Sequence, residues 1–419
     1  MKIRVNFLWL LIACVVLLPV SFLWAVDYRA WVLKDMALVL MGAWAILAML
    51  SRSQFSRSPE TLLVFTLLVV LSCIPVISTS RFDFENAVTR LLPILVAMML
   101  FSKREGLWLG RIHYLLAWGL IALLLWSLLQ PTYYHESEFF AHAVDRRPRF
   151  WPFFEMSPHS SGYVVGPLVL ITFFTRPLGK AGLLARMVTL AGLAAGLSLL
   201  YGYRSSQAIV TFVGFVAGAM VVMPSIPRFW KLLSIPVAAA IFGYVAYDKI
   251  FYTLELQGAN FNWRLVGSGR FGTWADRVAL ILDRDIWQIL FGTGPGSDMM
   301  YTPSWDKTTW AHNTFITYTV EYGLVGLACF IGAFWLIWRK FGAAAGGFLG
   351  AVIMSAAIGN GLTLRPTPLL LYAIAAVQLG YRMRYLALAP PAGSGQKTVS
   401  RTGHPARPAQ SATSEWRYP

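Results

Sequence analysis

Charge is what this sequence has least of. Only 13% of its 419 residues are Asp, Glu, Lys or Arg, and 57% are hydrophobic. Soluble domains carry roughly 25% charged residues, so a water-exposed globular coat is excluded for want of polar side chains to build it. Cysteine is nearly as scarce. Cys14, Cys73 and Cys329 each fall inside an apolar run, with no pairing or metal-ligand spacing, which excludes a disulfide framework. Acids are fewer than bases, 19 against 35, and the question becomes where the excess sits.

What is abundant is long apolar runs. Stretches of spanning length occur at about 7–26, 32–50, 61–79, 88–102, 107–130, 160–175, 187–203, 207–224, 232–248, 313–337, 343–363 and 367–386. An all-α, polytopic membrane protein of about twelve transmembrane helices is expected. Lys2 and Arg4 precede the first run, which is too long for a signal peptide and lacks a small-residue cleavage site, so it reads as an uncleaved span.

The connectors alternate between two sides of very different charge. One set, with both termini, holds 20 Lys and Arg against three acids, Glu60, Glu105 and Glu415. The opposite set holds 15 against 15, and Glu321 lies inside a span. The Lys and Arg asymmetry places the first set and both termini in the cytoplasm. Topology thus accounts for the basic excess, and no nucleic-acid partner is called for.

Two external connectors, about 131–159 and 249–311, are too long for simple turns, whereas residues 387–419 read as a disordered cytoplasmic tail after a membrane domain over 1–386. Within the second loop, Trp274, Val278, Ile281 and Leu282 recur at helical spacing while Asp276, Arg277, Asp283 and Arg284 take the other face. Such a helix would lie in the membrane–water interface among the membrane lipids.

Chemistry is to be sought on the external face, where arginines accumulate against the positive-inside bias. His312-Asn313 opens the span 313–337, and an imidazole titrating near neutrality suits general-base work on a hydroxyl. Arg204, with Ser205, Ser206 and Gln207, has the donors of a phosphate clamp. A snorkelling interfacial arginine fits the same residues. Gly267-Ser268-Gly269-Arg270 leads into the amphipathic helix, and its glycines and helix start favour an anion. A glycine hinge with an incidental arginine is the plainer alternative. Arg146, Arg147 and Arg149 interleave with Phe150 and Trp151 ahead of Pro158-His159, a surface suited to an anionic sugar or lipid headgroup or simply a solvated basic loop. Phe291-Gly292-Thr293-Gly294-Pro295-Gly296 lacks the ending of a nucleotide loop and reads as a turn. Asp283 and Asp285 stand two apart, which on a helix diverges their carboxylates, and Asp83-Phe84-Glu85 is a less excluded pair. No metal site and no cofactor is expected. Glu321 lies nine residues past His312, about 13 Å deeper at helical rise. A carboxyl there is a functional candidate or a hydrogen-bonded tie to a neighbouring helix. Gly323 and Gly326 allow close packing.

Together these residues resemble the bacterial O-antigen ligases. His312-Asn313, nine residues, then Gly323-Leu324-Val325-Gly326 is similar to their His-Asn/Ser/Arg-x9-Gly-x-x-Gly signature. The order of Arg204, Gly269-Arg270-x-x-x-Trp274, Phe-Gly-x-Gly and the histidine resembles the wider superfamily that includes O-antigen polymerases and O-linked oligosaccharyltransferases. Pro158-His159 is similar to the family's Pro-Asn/His segment. The motifs span about 145–330, and the N-terminal third matches only in topology.

The resemblance implies a glycosyltransferase of the GT-C kind in the bacterial inner membrane. It would transfer a glycan from undecaprenyl pyrophosphate to a lipid A–core hydroxyl on the periplasmic face, with inversion and without a metal. His312 would be the base and Arg204 and Arg270 would bind pyrophosphate. Asn313, Gln207, Arg147, Arg149, His159 and Glu321 would support them. Polymerase is the nearest alternative; the oligosaccharyltransferases usually carry a longer C-terminal region. A lipid or polysaccharide transporter would gather its polar residues at the midplane, whereas here they gather in the loops.

Overall fold

The computed structural model describes residues 109–388 with short gaps, together with isolated helical positions between Thr66 and Phe101. The first two expected spans and the C-terminal tail lie outside the described residues, and of the third and fourth only those isolated positions are described. Ten α-helices follow in order: α1 (His113–Leu128), α2 (Pro158–Thr175), α3 (Leu183–Gly202), α4 (Ser206–Val222), α5 (Arg228–Gln257), α6 (Arg270–Leu282), α7 (Ile286–Phe291), α8 (Thr314–Phe341), α9 (Ala343–Ile358) and α10 (Pro366–Leu388). Between α7 and α8 a small antiparallel hairpin pairs β1 (Met300–Thr302) with β2 (Lys307–Thr309), an element absent from the sequence reading.

Among the described residues, four helical stretches are long and apolar enough to cross a membrane: Gly110–Leu128, Leu183–Gly202, Arg228–Tyr252 and Thr314–Arg339. Their packing explains why the chain needs a bilayer. α5 touches the bundle mainly through α4 and turns Phe229, Leu232, Ile235 and Tyr244 outward, a belt only lipid would cover. α2 is the opposite case. It is apolar all round, packs against α1, α3, α4 and α10, and buries nearly every residue.

Among the described helices, α4 and α9 form the most extensive pair. Both helices carry small residues four apart, Gly214 and Gly218 facing Gly346 and Gly350. A Cβ added at Gly218 would meet Gly346 O, and one at Gly350 would meet Gly214 O. Backbones therefore touch directly, as small-xxx-small spacing permits in apolar surroundings. This interface brings the N-terminus of α4 level with the C-terminus of α9.

α5 departs from the sequence reading by running on to Gln257, so the long external connector begins nine residues later than expected. At 30 residues it is about 45 Å long, well beyond an apolar core of roughly 30 Å. α8 departs differently. Its helical path breaks at Gly323 (φ 68°, ψ −170°), which interrupts the hydrogen-bond ladder above. The Phe291–Gly296 turn fills that gap: Thr293 N donates to Val320 O (3.1 Å) and Gly294 N to Glu321 O (2.8 Å). Arg284 Nη1 also donates to Val320 O (3.0 Å). Its half-buried guanidinium has a lowered pKa, desolvation being the main cause and the Asp298 charge acting the other way. Gly292 and Gly323 are both in the left-handed region and back onto each other's chain, where a Cβ would strike backbone. Glu321 Oε1 accepts from Gly296 N (3.0 Å), so this carboxylate ties down the loop.

Candidate functional site

Four helices begin at one place. Each has a capping side chain or glycine that the local sequence supplies. Ser157 caps α2, with Pro158 in the first turn, and Ser205 caps α4. Gly269 (φ 77°) opens α6. Asn313 caps α8, its Oδ1 accepting from Phe315 N (3.0 Å) and Ile316 N (3.2 Å).

Direct contacts link these starts. His159 Nδ1 lies 3.1 Å from Ser205 Oγ, joining α2 to α4. The Gln207 amide, oriented with its oxygen toward the guanidinium, accepts from Arg270 Nη1 (2.6 Å) and Nη2 (2.5 Å), joining α4 to α6. The other end of that amide lies 3.3 Å from Tyr163 Oη. Arg270 Nη1 also donates to Ile358 O (3.2 Å), and Asn313 Nδ2 to Ala357 O (3.4 Å). Both donors thereby satisfy carbonyls at the end of α9, where positive charge suits the helix dipole. Trp274 Nε1 donates to Ala311 O (2.7 Å), joining α6 to the residue before His312. Arg204, Arg270 and His312, far apart in sequence, are thus drawn together through Gln207, Ala357–Ile358 and Trp274.

Backbone conformation singles out two of them. Among the described residues, Arg204 (φ 46°) and His312 (φ 54°) are the non-glycine residues in the left-handed region. Such strain costs on the order of 1–3 kcal/mol and persists where surroundings over-determine it. Arg204 is half-buried, and its guanidinium has no hydrogen-bond or ion-pair partner among the described residues. Arg270, by contrast, is held in a fixed orientation.

Two supporting candidates are engaged by other elements. Arg147 forms a two-pronged pair with Asp248 (2.9 and 3.1 Å) and sits over the Tyr252 ring at 4.6 Å. The overhanging end of α5 captures it. Arg149 is buried to 1% exposure, its backbone bridged to Tyr134. The neighbouring Phe150 N donates to Gly202 O, so this stretch braces the turn that carries Arg204. A solvated basic surface is therefore not what these two arginines make. Asp285 spends its carboxylate capping α7, accepting from Trp287 N (2.8 Å) and Gln288 N (2.9 Å). Asp83 and Glu85 lie outside the described residues.

The sequence reading of α6 needs correction on two counts. Arg277 does not face solvent; it is 1% exposed and paired with Asp298, itself fully buried (Nε–Oδ1, 3.1 Å). Trp274 does not lie in lipid but is half-buried beside Ala311, with Phe271 stacked on it at 5.4 Å. The face that looks outward carries Phe271, Val278 and Leu282. In α6 the polar stripe turns toward protein, and the recurrence of Arg270, Thr273 and Arg277 at helical spacing is the signal for it.

A scan against protein-family models and a search of curated proteins each return no match for this chain.

Proposed function

We propose that this membrane protein is a glycosyltransferase that moves a glycan from undecaprenyl pyrophosphate to a lipid A–core hydroxyl, an O-antigen ligase reaction. The observation that carries the reading is the convergence of four helix N-termini around Arg270 and Arg204. Each N-terminus carries a partial positive charge, and two guanidiniums add full charges suited to a diphosphate. Charge concentrated this way answers the need of the reaction, because a pyrophosphate gains negative charge as the sugar leaves it.

Division of labour follows from the two arginines' settings. Arg270, locked by Gln207 and Ile358 O, supplies a preorganised positive field. Arg204, with its guanidinium unpaired among the described residues, closes on the incoming phosphate. His312, raised on its strained turn at the mouth of α8, takes the proton from the acceptor hydroxyl as that oxygen attacks the anomeric carbon. Direct displacement on the opposite face inverts the anomeric centre. The lipid-linked donor is already activated, so no nucleotide is consumed. The Lys and Arg asymmetry of the connectors supports a periplasmic position for this end, and the reading as a whole is of an inner-membrane GT-C-type bundle of about twelve spans.

The test is transfer by the purified protein, given undecaprenyl-pyrophosphate-linked glycan and lipid A–core. Attachment to core that is lost in His312→Ala supports the ligase reading. Elongation of the lipid-linked glycan without attachment to core would assign the site to a polymerase instead.

A further inference from the structure

We infer that Arg277 and Asp298 are positioning residues that hold His312 in its reactive pose through the Ala311–His312 peptide; this rests on the reading of His312 as the base. The pair lies outside the anion-binding contacts and is buried completely. Arg277 Nη2 faces Asp298 O, Met300 O, Thr302 Oγ1 and Thr309 O at 2.7–3.1 Å, which gathers both strands of the hairpin around one guanidinium. Asp298 uses its first carboxylate oxygen on Arg277. Its second accepts from Ala311 N (3.0 Å) and Thr317 Oγ1 (2.6 Å).

The direction of those bonds is the argument. Ala311 is pinned on both sides, its N–H by Asp298 and its carbonyl by Trp274. On the far side Asn313 is fixed as the cap of α8. His312 lies between two clamped residues, which is what a left-handed backbone at a non-glycine residue requires. Arg277 and Arg270 share α6, seven residues or about 10 Å apart along its axis. One rigid helix therefore sets both the anion clamp and, through Asp298, the turn bearing the base. A buried ion pair is a poor way to gain stability alone, since well-packed apolar residues often serve as well or better. A charge-assisted network aimed at one strained turn is a way to gain position.

The test uses the full-length protein in lipid nanodiscs with undecaprenyl-pyrophosphate-linked glycan and lipid A–core. Asp298→Asn is expected to lower kcat about 100-fold, the scale of a small misplacement of a reacting group, while donor KM holds. Thr317→Val keeps the ion pair and removes one hydrogen bond, with an expected loss of about tenfold. In a His312→Ala background neither substitution should lower the residual rate further. Losses of equal size in both backgrounds, or a raised donor KM at constant kcat, would overturn the assignment as mere scaffold. Should Asp298→Asn fail to fold, Thr317→Val decides alone, and an unchanged kcat there overturns it. Wild-type transfer by His312→Ala would instead remove the base reading itself, a result visible in that single variant.

Discussion

The middle of the described bundle and its loop end solve the same problem by opposite means. Both must bring chain segments into close contact without leaving polar groups stranded. In the middle, α4 and α9 do it by subtraction, with Gly214, Gly218, Gly346 and Gly350 removing side chains so that backbones meet. At the loop end the structure does it by wiring. Arg277, Asp298, Gln207, Arg270 and Asn313 each satisfy groups on a different element. The difference teaches where function is to be found. A glycine seam has one property to lose, its fit, whereas a wired region can lose geometry while remaining folded.

The sharpest way to break that comparison is at His312. Replacing it with Ala should lower transfer by about 10²–10⁴-fold, the usual contribution of a positioned base, while the helical circular dichroism stays as it was. Transfer assays and spectra on the same preparation check both halves. Next in size, Arg204→Ala and Arg270→Ala should each cost about 10²–10³-fold in kcat/KM, as when a charge-stabilising donor is removed. The two should differ in kind. Arg204→Ala should act alone, whereas Arg270→Ala also strips Gln207 and Ile358 O of their donor and should lower thermal stability. Melting curves for both variants separate them.

In the glycine seam the order reverses. Gly350→Val would drive side-chain carbons into Gly214 O, destabilising the bundle by about 1–3 kcal/mol or more, as overpacking does. Any loss of transfer should track the loss of folded protein in a denaturation series. Smallest of all, Arg147→Ala removes a partly exposed pair with Asp248. It should cost under about 1 kcal/mol and leave transfer unchanged, which an initial-rate comparison shows.

The described helices were legible because long apolar runs carry their own signal: eight of the twelve runs coincide with α1–α5 and α8–α10 to within about ten residues, and four of these helical stretches are long and apolar enough to cross a membrane. His312-Asn313 and Gly269-Arg270 were legible as helix starts because a cap and a glycine belong to local chemistry, whereas the capping by Ser157 and Ser205 emerges only with α2 and α4 in place. What escaped depends on distance. Asp298 looks like any loop acid until α6 brings Arg277 to it, 21 positions away. Arg147 resembles other loop arginines until the overhang of α5 presents Asp248. The break at Gly323 was hidden because its apolar run is uninterrupted, and only the docking of the Phe291–Gly296 turn makes a left-handed glycine necessary there. The small-residue spacing in α4 and α9 was readable, though neither helix by itself says which partner it meets.

The central claim is that the four converging helix starts with Arg204 and Arg270 form a pyrophosphate site. Its most direct test is the affinity of the purified protein for undecaprenyl pyrophosphate and undecaprenyl monophosphate, measured for wild type and Arg204→Ala. The account predicts that wild type prefers the pyrophosphate and that the substitution weakens pyrophosphate binding by about tenfold or more, the value of a charge-assisted hydrogen bond, with little change for the monophosphate. Equal affinity for both lipids in wild type, unaltered by the substitution, would contradict it.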